Sequence, residues 1–214
     1  MEIEEKMTLD EILLKQLNNE LITQYDWNRL CIDYKLTEEI IEKYKNKFDW
    51  DLICKYQTLS ESFIEKYMNF YFCHNWDYVC KYQTFSENFI EKYKDKLNWS
   101  SICIHQKLSE EFIEKCQDKV NWINISIYQK LSEKFIEKYK DEVNWYYISQ
   151  YQTLSEQFIE KYKDKVDWVN ISINQKLSES FIDKYHNEVN WFYIFIRQKL
   201  SDKFKEKYKW KLNQ

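Results

Sequence analysis

The chain contains no glycine, no proline and no alanine in 214 residues, and only two arginines, Arg29 and Arg197, among 32 basic residues. Missing glycine argues against phosphate-cradling loops, dinucleotide fingerprints and nucleophile elbows, because each needs backbone conformations that only glycine tolerates. Missing glycine and proline suit a chain of helices and short turns, since both residues break helix interiors. Missing alanine, the best helix former, has no such explanation. Alanine, glycine, proline and most arginine codons are GC-rich, so part of this composition reflects an AT-rich genome. Long apolar runs are absent too: the longest, Trp191 to Ile196, has six residues, against the roughly 20 that cross a bilayer. The opening MEIEEKM is acidic and lacks the basic segment and apolar core of a secretory signal. An intracellular protein that is neither secreted nor membrane-bound is expected.

Tryptophan is what the chain does have, and at fixed intervals. Trp27, Trp50, Trp76, Trp99, Trp122, Trp145, Trp168 and Trp191 are 23 residues apart at every step but one, which is 26. A single supersecondary unit therefore repeats about eight times. Its phrase is plainest from Leu131 to Thr153, LSEKFIEKYKDEVNWYYISQYQT. A catalytic site needs unlike groups brought together once, whereas an array presents one surface many times.

Each unit carries two helix starts. The first is a serine or threonine (Thr37, Ser60, Ser86, Ser109, Ser132, Ser155, Ser178, Ser201), a strong N-cap followed by acidic residues that suit the helix dipole. An apolar residue before each cap and another five positions later, such as Leu131 and Ile136, have the spacing of a hydrophobic staple. The second start is Asn or Asp directly before each periodic Trp, from Asp26 to Asn190. These are called below the Ser-capped helix and the Trp helix. Neither reaches the roughly 12 to 15 residues at which an isolated helix becomes marginal, so stacked neighbours must stabilise them. The expected fold is all-α, an α-solenoid of about eight two-helix repeats with capping helices at both ends. Residues 1–25 would form the N-terminal capping helix, with Thr8 and Glu11 as its capping box. The array would span 26–200 with an insertion near 70–74, and 201–214 would form the C-terminal capping helix.

Net charge is −4 but uneven: residues 1–35 hold eight acids and four bases, residues 197–214 two acids and seven bases. These ends read as polar caps that keep an array soluble. They also offer a head-to-tail contact between copies, so homo-oligomerisation through the end caps is one alternative.

Four of the six cysteines, Cys31, Cys54, Cys80 and Cys103, share the slot four residues after Trp, where later repeats place Ser126, Ser149 and Ser172. The slot reads as a small-residue packing contact between helices, and Phe195 there in the eighth repeat suits the end of a stack. Cys73 and His74 in the insertion are adjacent; a metal half-site or reactive thiol is the sharper reading, a packed loop the plainer one. No catalytic, cofactor or metal site is assigned, and enzymatic activity is not expected.

Internal comparison shows where repeats differ. The Ser-capped helix is nearly a fixed phrase, whereas the Trp helix varies at the first, second, fifth and sixth residues after Trp, which share one helical face. That face is the expected binding surface. Tyr56, Tyr82, His105, Tyr128 and Tyr151 form a row along it, and Tyr147 and Tyr193 join them as candidate binding residues.

The phrase LSEEFIEKCQDKVNWINISIYQK, Leu108 to Lys130, resembles the short tandem repeats found in many paralogous copies in AT-rich large DNA viruses such as the giant viruses of amoebae. The likeness covers residues 36–210, rests on the spacing of Leu-Ser, Phe-Ile, Tyr, Asn-Trp, Ile and Gln, and brings no catalytic residues. It implies a viral helical-repeat protein. The function expected is a non-enzymatic protein-binding scaffold engaging a host or virion component through the variable face of the Trp helix. The alternatives are a nucleic-acid-binding repeat protein, against which the missing basic stripe argues, and a self-assembling structural protein.

Overall fold

In a computed structural model, the structure describes residues 22–67, 69, 71 and 76–213. The expected N-terminal capping box at Thr8 and Glu11, and Cys73 and His74 of the insertion, lie outside these residues. The described residues are helical, with no strand among them, and the fold is an α-solenoid of two-helix repeats. The chain divides into two compact units at Gln106 and Lys107.

In the first unit the Trp helices are Gln24–Asp33, Trp50–Tyr56, Trp76–Tyr82 and Trp99–His105, alternating with the Ser-capped helices Glu38–Lys43, Glu61–Tyr67 and Glu87–Lys92. In the second unit the Ser-capped helices are Glu110–Lys115, Glu133–Lys138, Glu156–Lys161, Glu179–Lys184 and Asp202–Tyr208. The Trp helices there are Trp122–Tyr128, Trp145–Tyr151, Trp168–Asn174 and Trp191–Arg197, and a 3-10 segment, Lys209–Asn213, follows the last helix.

The caps work as their chemistry predicts. Ser132 accepts from the Phe135 N–H and Asn144 from the Tyr147 N–H, and the same pattern recurs along both units. One expectation is corrected. Asp26 is not an N-cap: the first Trp helix begins at Gln24, capped by Thr23, and Asp26 is the third helical residue, its carboxylate accepting the Thr23 N–H at 2.8 Å. Threonine three residues before aspartate completes a capping box, which satisfies two orphan N–H groups and so prevails over a lone Asp cap.

The core repeats with the phrase. Leu131, Phe135, Ile136, Val143 and Ile148 are buried, with Ile136 and Ile148 at 0% exposure. Trp27 and Trp50 in the first unit, and Trp122, Trp145, Trp168 and Trp191 in the second, pack on the Ser-capped helix that follows or on its C-cap, as Trp145 does against Tyr162 at 5.0 Å. The indole N–H of Trp50, Trp99, Trp145, Trp168 and Trp191 donates to the carbonyl five residues earlier, Trp145 to Lys140 at 2.8 Å.

Hydrogen bonds between repeats fix the stack. Gln152 is buried and donates to the Ser126 and Gln129 carbonyls at 3.0 and 2.8 Å, while its own oxygen accepts the Leu131 N–H at 3.0 Å. Three buried backbone groups around the end of the preceding Trp helix are thereby satisfied. Gln57, Gln83, Gln106, Gln175 and Gln198 repeat the clamp within their units. Glu156 accepts both the N–H and the hydroxyl of Ser178, the cap of the next Ser-capped helix. Glu and Lys of the recurring Glu-Lys pair bridge successive Ser-capped helices, Lys92 to Glu65 at 2.7 Å and Lys161 to Glu137 among them.

Within each unit the backbones of successive Trp helices approach closely, and those of successive Ser-capped helices less so. The Trp helices therefore form the more tightly spaced layer of each stack. The small slot permits this. Ser126, Ser149 and Ser172 are fully buried, and each hydroxyl also accepts the N–H of the next Trp helix's cap residue, Ser149 from Asp167 at 2.9 Å. At the last Trp helix Phe195 occupies the slot, ring to ring with Trp191 at 5.9 Å, and Tyr208 stacks on Trp191 at 4.3 Å.

Candidate functional site

The face that varies between repeats is set by helix geometry. The third and fourth residues after Trp point into the stack, as Ile148 and Ser149 do, which leaves the first, fifth and sixth exposed or half-buried and the second half-buried, or buried in the case of Asn170. Tyr56, His105, Tyr128 and Tyr151 are exposed, and Tyr82, Tyr147 and Tyr193 are half-buried.

The structure brings some of these residues together. Tyr147 and Tyr151 stack along one helix at 6.2 Å, and Tyr147 also meets Tyr146 edge-on at 5.2 Å. Tyr82 lies 4.6 Å from Tyr78, and Tyr193 lies 5.3 Å from Phe192. Tyr128 and Tyr151, one repeat apart, line the same open groove of about 370 Å³, together with Ile127, Gln129, Lys130, Leu131, Gln152 and Thr153. Tyr56, Tyr82 and His105 belong to the first unit and Tyr128, Tyr151, Tyr147 and Tyr193 to the second.

A difference between the two units goes beyond what the row of tyrosines suggested. In the first unit six of the sixteen face positions are charged: Arg29, Asp33, Asp51, Lys55, Asp77 and Lys81. Several of these charges find partners nearby. Arg29 pairs with Asp33 at 2.6 Å, Asp77 accepts from the Ser101 hydroxyl at 3.1 Å, and Lys55 and Lys81 lie over the rings of Tyr56 and Tyr82. In the second unit only Arg197 is charged among the sixteen. The first and fifth positions there read Ile123 and Ile127, Tyr146 and Gln150, Val169 and Ile173, Phe192 and Ile196. Tyr146, Phe192 and Ile196 are 51%, 60% and 59% exposed. The signal lay in the sequence, in the charge of each Trp helix taken one face at a time.

The cysteines are placed for packing. Cys31, Cys54, Cys80, Cys103 and Cys116 are buried free thiols. Burial, with lesser contributions from Asp49, Asp51 and Asp77, pushes the thiols of Cys31, Cys54 and Cys80 up to about 12. Among the described residues no group of three His, Cys, Asp or Glu side chains is placed to hold a metal ion, and no helix is long and apolar enough to cross a membrane.

No protein-family model matches the chain, and comparisons with curated proteins and with solved structures likewise yield no match.

Proposed function

We propose that this chain is a non-enzymatic protein-binding repeat scaffold of viral origin, acting inside the host cell or in the virion and engaging a host or virion component through the Trp-helix face. One observation carries the reading. The positions where repeats differ most lie on the exposed and half-buried side of the Trp helices, while the buried core, caps and glutamine clamps stay nearly constant. A stack whose variation is concentrated at its surface is organised to present side chains, and aromatic side chains are the residues that interface hot spots favour.

The same face argues against a nucleic-acid role. Binding a phosphate backbone needs lysine or arginine along the track, and the face of the second unit supplies Arg197 alone. Affinity capture on the immobilised full chain tests the proposal. A protein partner retained through nuclease treatment and high-salt washing, and released when Tyr146→Asp and Tyr151→Asp are introduced together, is the expected result. Loss of all bound material on nuclease treatment and high salt would replace the proposal with nucleic-acid binding, and retention by the variant would remove the face from it.

A further inference from the structure

We propose that the last Trp helix of the second unit and the segment that follows its Ser-capped helix receive residues 1–21 of a second copy of this chain, so that copies join head to tail. This goes beyond the protein-binding reading and does not rest on it.

The receiving surface is an apolar patch among unpaired bases. Phe192, Phe195 and Ile196 stand at i, i+3 and i+4 on one side of Trp191–Arg197. Phe192 and Ile196 are exposed, and Phe195 is half-buried in the slot where Ser126, Ser149 and Ser172 are fully buried. Lys209–Asn213 lies against this helix and brings Trp210 and Leu212, each 50% exposed, beside it. The fold does not require apolar residues at the first and fifth positions after Trp, since Asp51 and Lys55, and Asp77 and Lys81, hold them in the first unit. Large apolar side chains gathered in water and rimmed by polar ones mark an interaction site. Here the rim is basic: residues 197–214 carry seven bases against Asp202 and Glu206. Those two acids pair with Lys205 and Lys209, and Asp183 pairs with Lys207. Arg197, Lys199 and Lys203 are exposed and have no ion pair among the described residues.

Charge and pattern select the occupant. Seven bases against two acids over residues 197–214 disfavour the same surface of another copy and favour an acidic segment with an apolar side. The chain carries one. Residues 1–21 hold six acids, Glu2, Glu4, Glu5, Asp10, Glu11 and Glu20, against two bases, Lys6 and Lys15, a net charge of −4. Residues 22–35 hold two acids and two bases, so the excess acid of the head lies wholly in that segment. Leu9, Ile12, Leu13 and Leu17 recur at the spacing of an apolar helical stripe, which is the pattern read when a helix docks into an apolar groove. Joining two different surfaces makes the contact heterologous. Each added copy leaves one head and one tail free, so association continues beyond two.

The test is light scattering of the full chain over a range of concentrations and salt, with three variants checked for unchanged helicity. The head variant carries Glu2→Lys, Glu4→Lys and Glu5→Lys, and the tail variant Arg197→Glu, Lys199→Glu and Lys203→Glu. The third, Phe192→Asp with Ile196→Lys, places the charged residue types of the first unit on the patch. For the wild type, a mass that rises past twice the monomer with concentration is expected, and it should fall as salt rises to about 1 M, where charges act over about 3 Å. Each variant alone should associate at least tenfold more weakly. An equimolar mixture of head and tail variants should regain association, because it contains one unaltered tail and one unaltered head. A wild type that stays monomeric overturns the proposal, as does a mixture no heavier than its components or indifference to the third variant. Association retained by the head variant would overturn it too, in favour of a tail-to-tail pair. Sedimentation with vesicles of phosphatidylserine and phosphatidylcholine adds an arm: a monomeric wild type that binds them, with a tail variant that does not, would assign the patch to an anionic membrane surface instead.

Discussion

Gln152 is polar, buried and triply bonded to the repeat before it, and the consequences of losing it differ from those of losing a neighbour. Gln152→Leu would leave the Ser126 and Gln129 carbonyls and the Leu131 N–H buried without partners, each at a cost of about 1–3 kcal/mol. Chemical denaturation followed by circular dichroism should show a loss of about 3 kcal/mol or more, whereas Gln150→Leu, two residues away on the open face, should stay within about 0.5 kcal/mol. The thiols give a second residue-scale prediction. With Cys31, Cys54 and Cys80 pushed up to about 12, roughly one thiol in ten thousand is ionised at pH 8. Iodoacetamide should leave these three unmodified in the native protein and alkylate them in denaturant, as site-resolved mass spectrometry would show. The buried cysteine slot was legible in the sequence, because position within a repeat is local information. The glutamine clamp was not. Its partners lie 21 to 26 residues away, and spacing alone gives a recurring polar residue no reason to be buried.

At the scale of the helix, caps and charge ladders decide stability. Ser155→Ala removes the hydroxyl that accepts the Phe158 N–H, and a loss of about 1 kcal/mol is expected. The ladder between Ser-capped helices sets a pH window. The carboxyls of Glu65, Glu137 and Glu160 lie below the ordinary 4.5, chiefly because Lys92, Lys161 and Lys184 hydrogen-bond to them, and those lysines lie above the ordinary 10.5 by the same bonds. A lowered carboxyl stabilises the fold above its unfolded value and loses that contribution as pH falls through its folded value. A raised lysine stabilises below its unfolded value and loses its contribution as pH rises through its folded one. The ladder should therefore hold stability level between about 4.5 and 10.5, with a decline on either side that high salt flattens. Replacing Glu65, Glu137 and Glu160 by Gln should remove the acid-side part of that decline in thermal melts. Among the described residues, which leave out Asn75, cap residues were legible in the sequence wherever a single Ser, Asn or Asp stood at the helix start. Asp26 misled because Thr23, three residues earlier, makes the better start, a signal present in the same four residues.

For the whole molecule, the period of tryptophan revealed the two-helix repeat and its all-α fold, since 3.6-residue patterning and capping are local properties. Which layer is the more tightly spaced was not legible, because that depends on how closely helices from different repeats approach. The variable face was legible as a set of positions, and the structure adds that its charge changes between the first and second units. The tryptophans read as scaffold: in the second unit the rings of Trp122, Trp145, Trp168 and Trp191 pack on the following Ser-capped helix or its C-cap, and the N–H of Trp145, Trp168 and Trp191 is bound within its own repeat. The central claim is that function resides on the Trp-helix face and the Ser-capped helices only hold it. The most direct measurement is partner retention by two variants of equal fold stability, one carrying Tyr128→Asp and Tyr151→Asp, the other Lys134→Glu and Gln157→Lys on exposed positions of the Ser-capped helices. Loss of the partner in the first variant and full retention in the second is the predicted result; retention in the first with loss in the second would contradict the account.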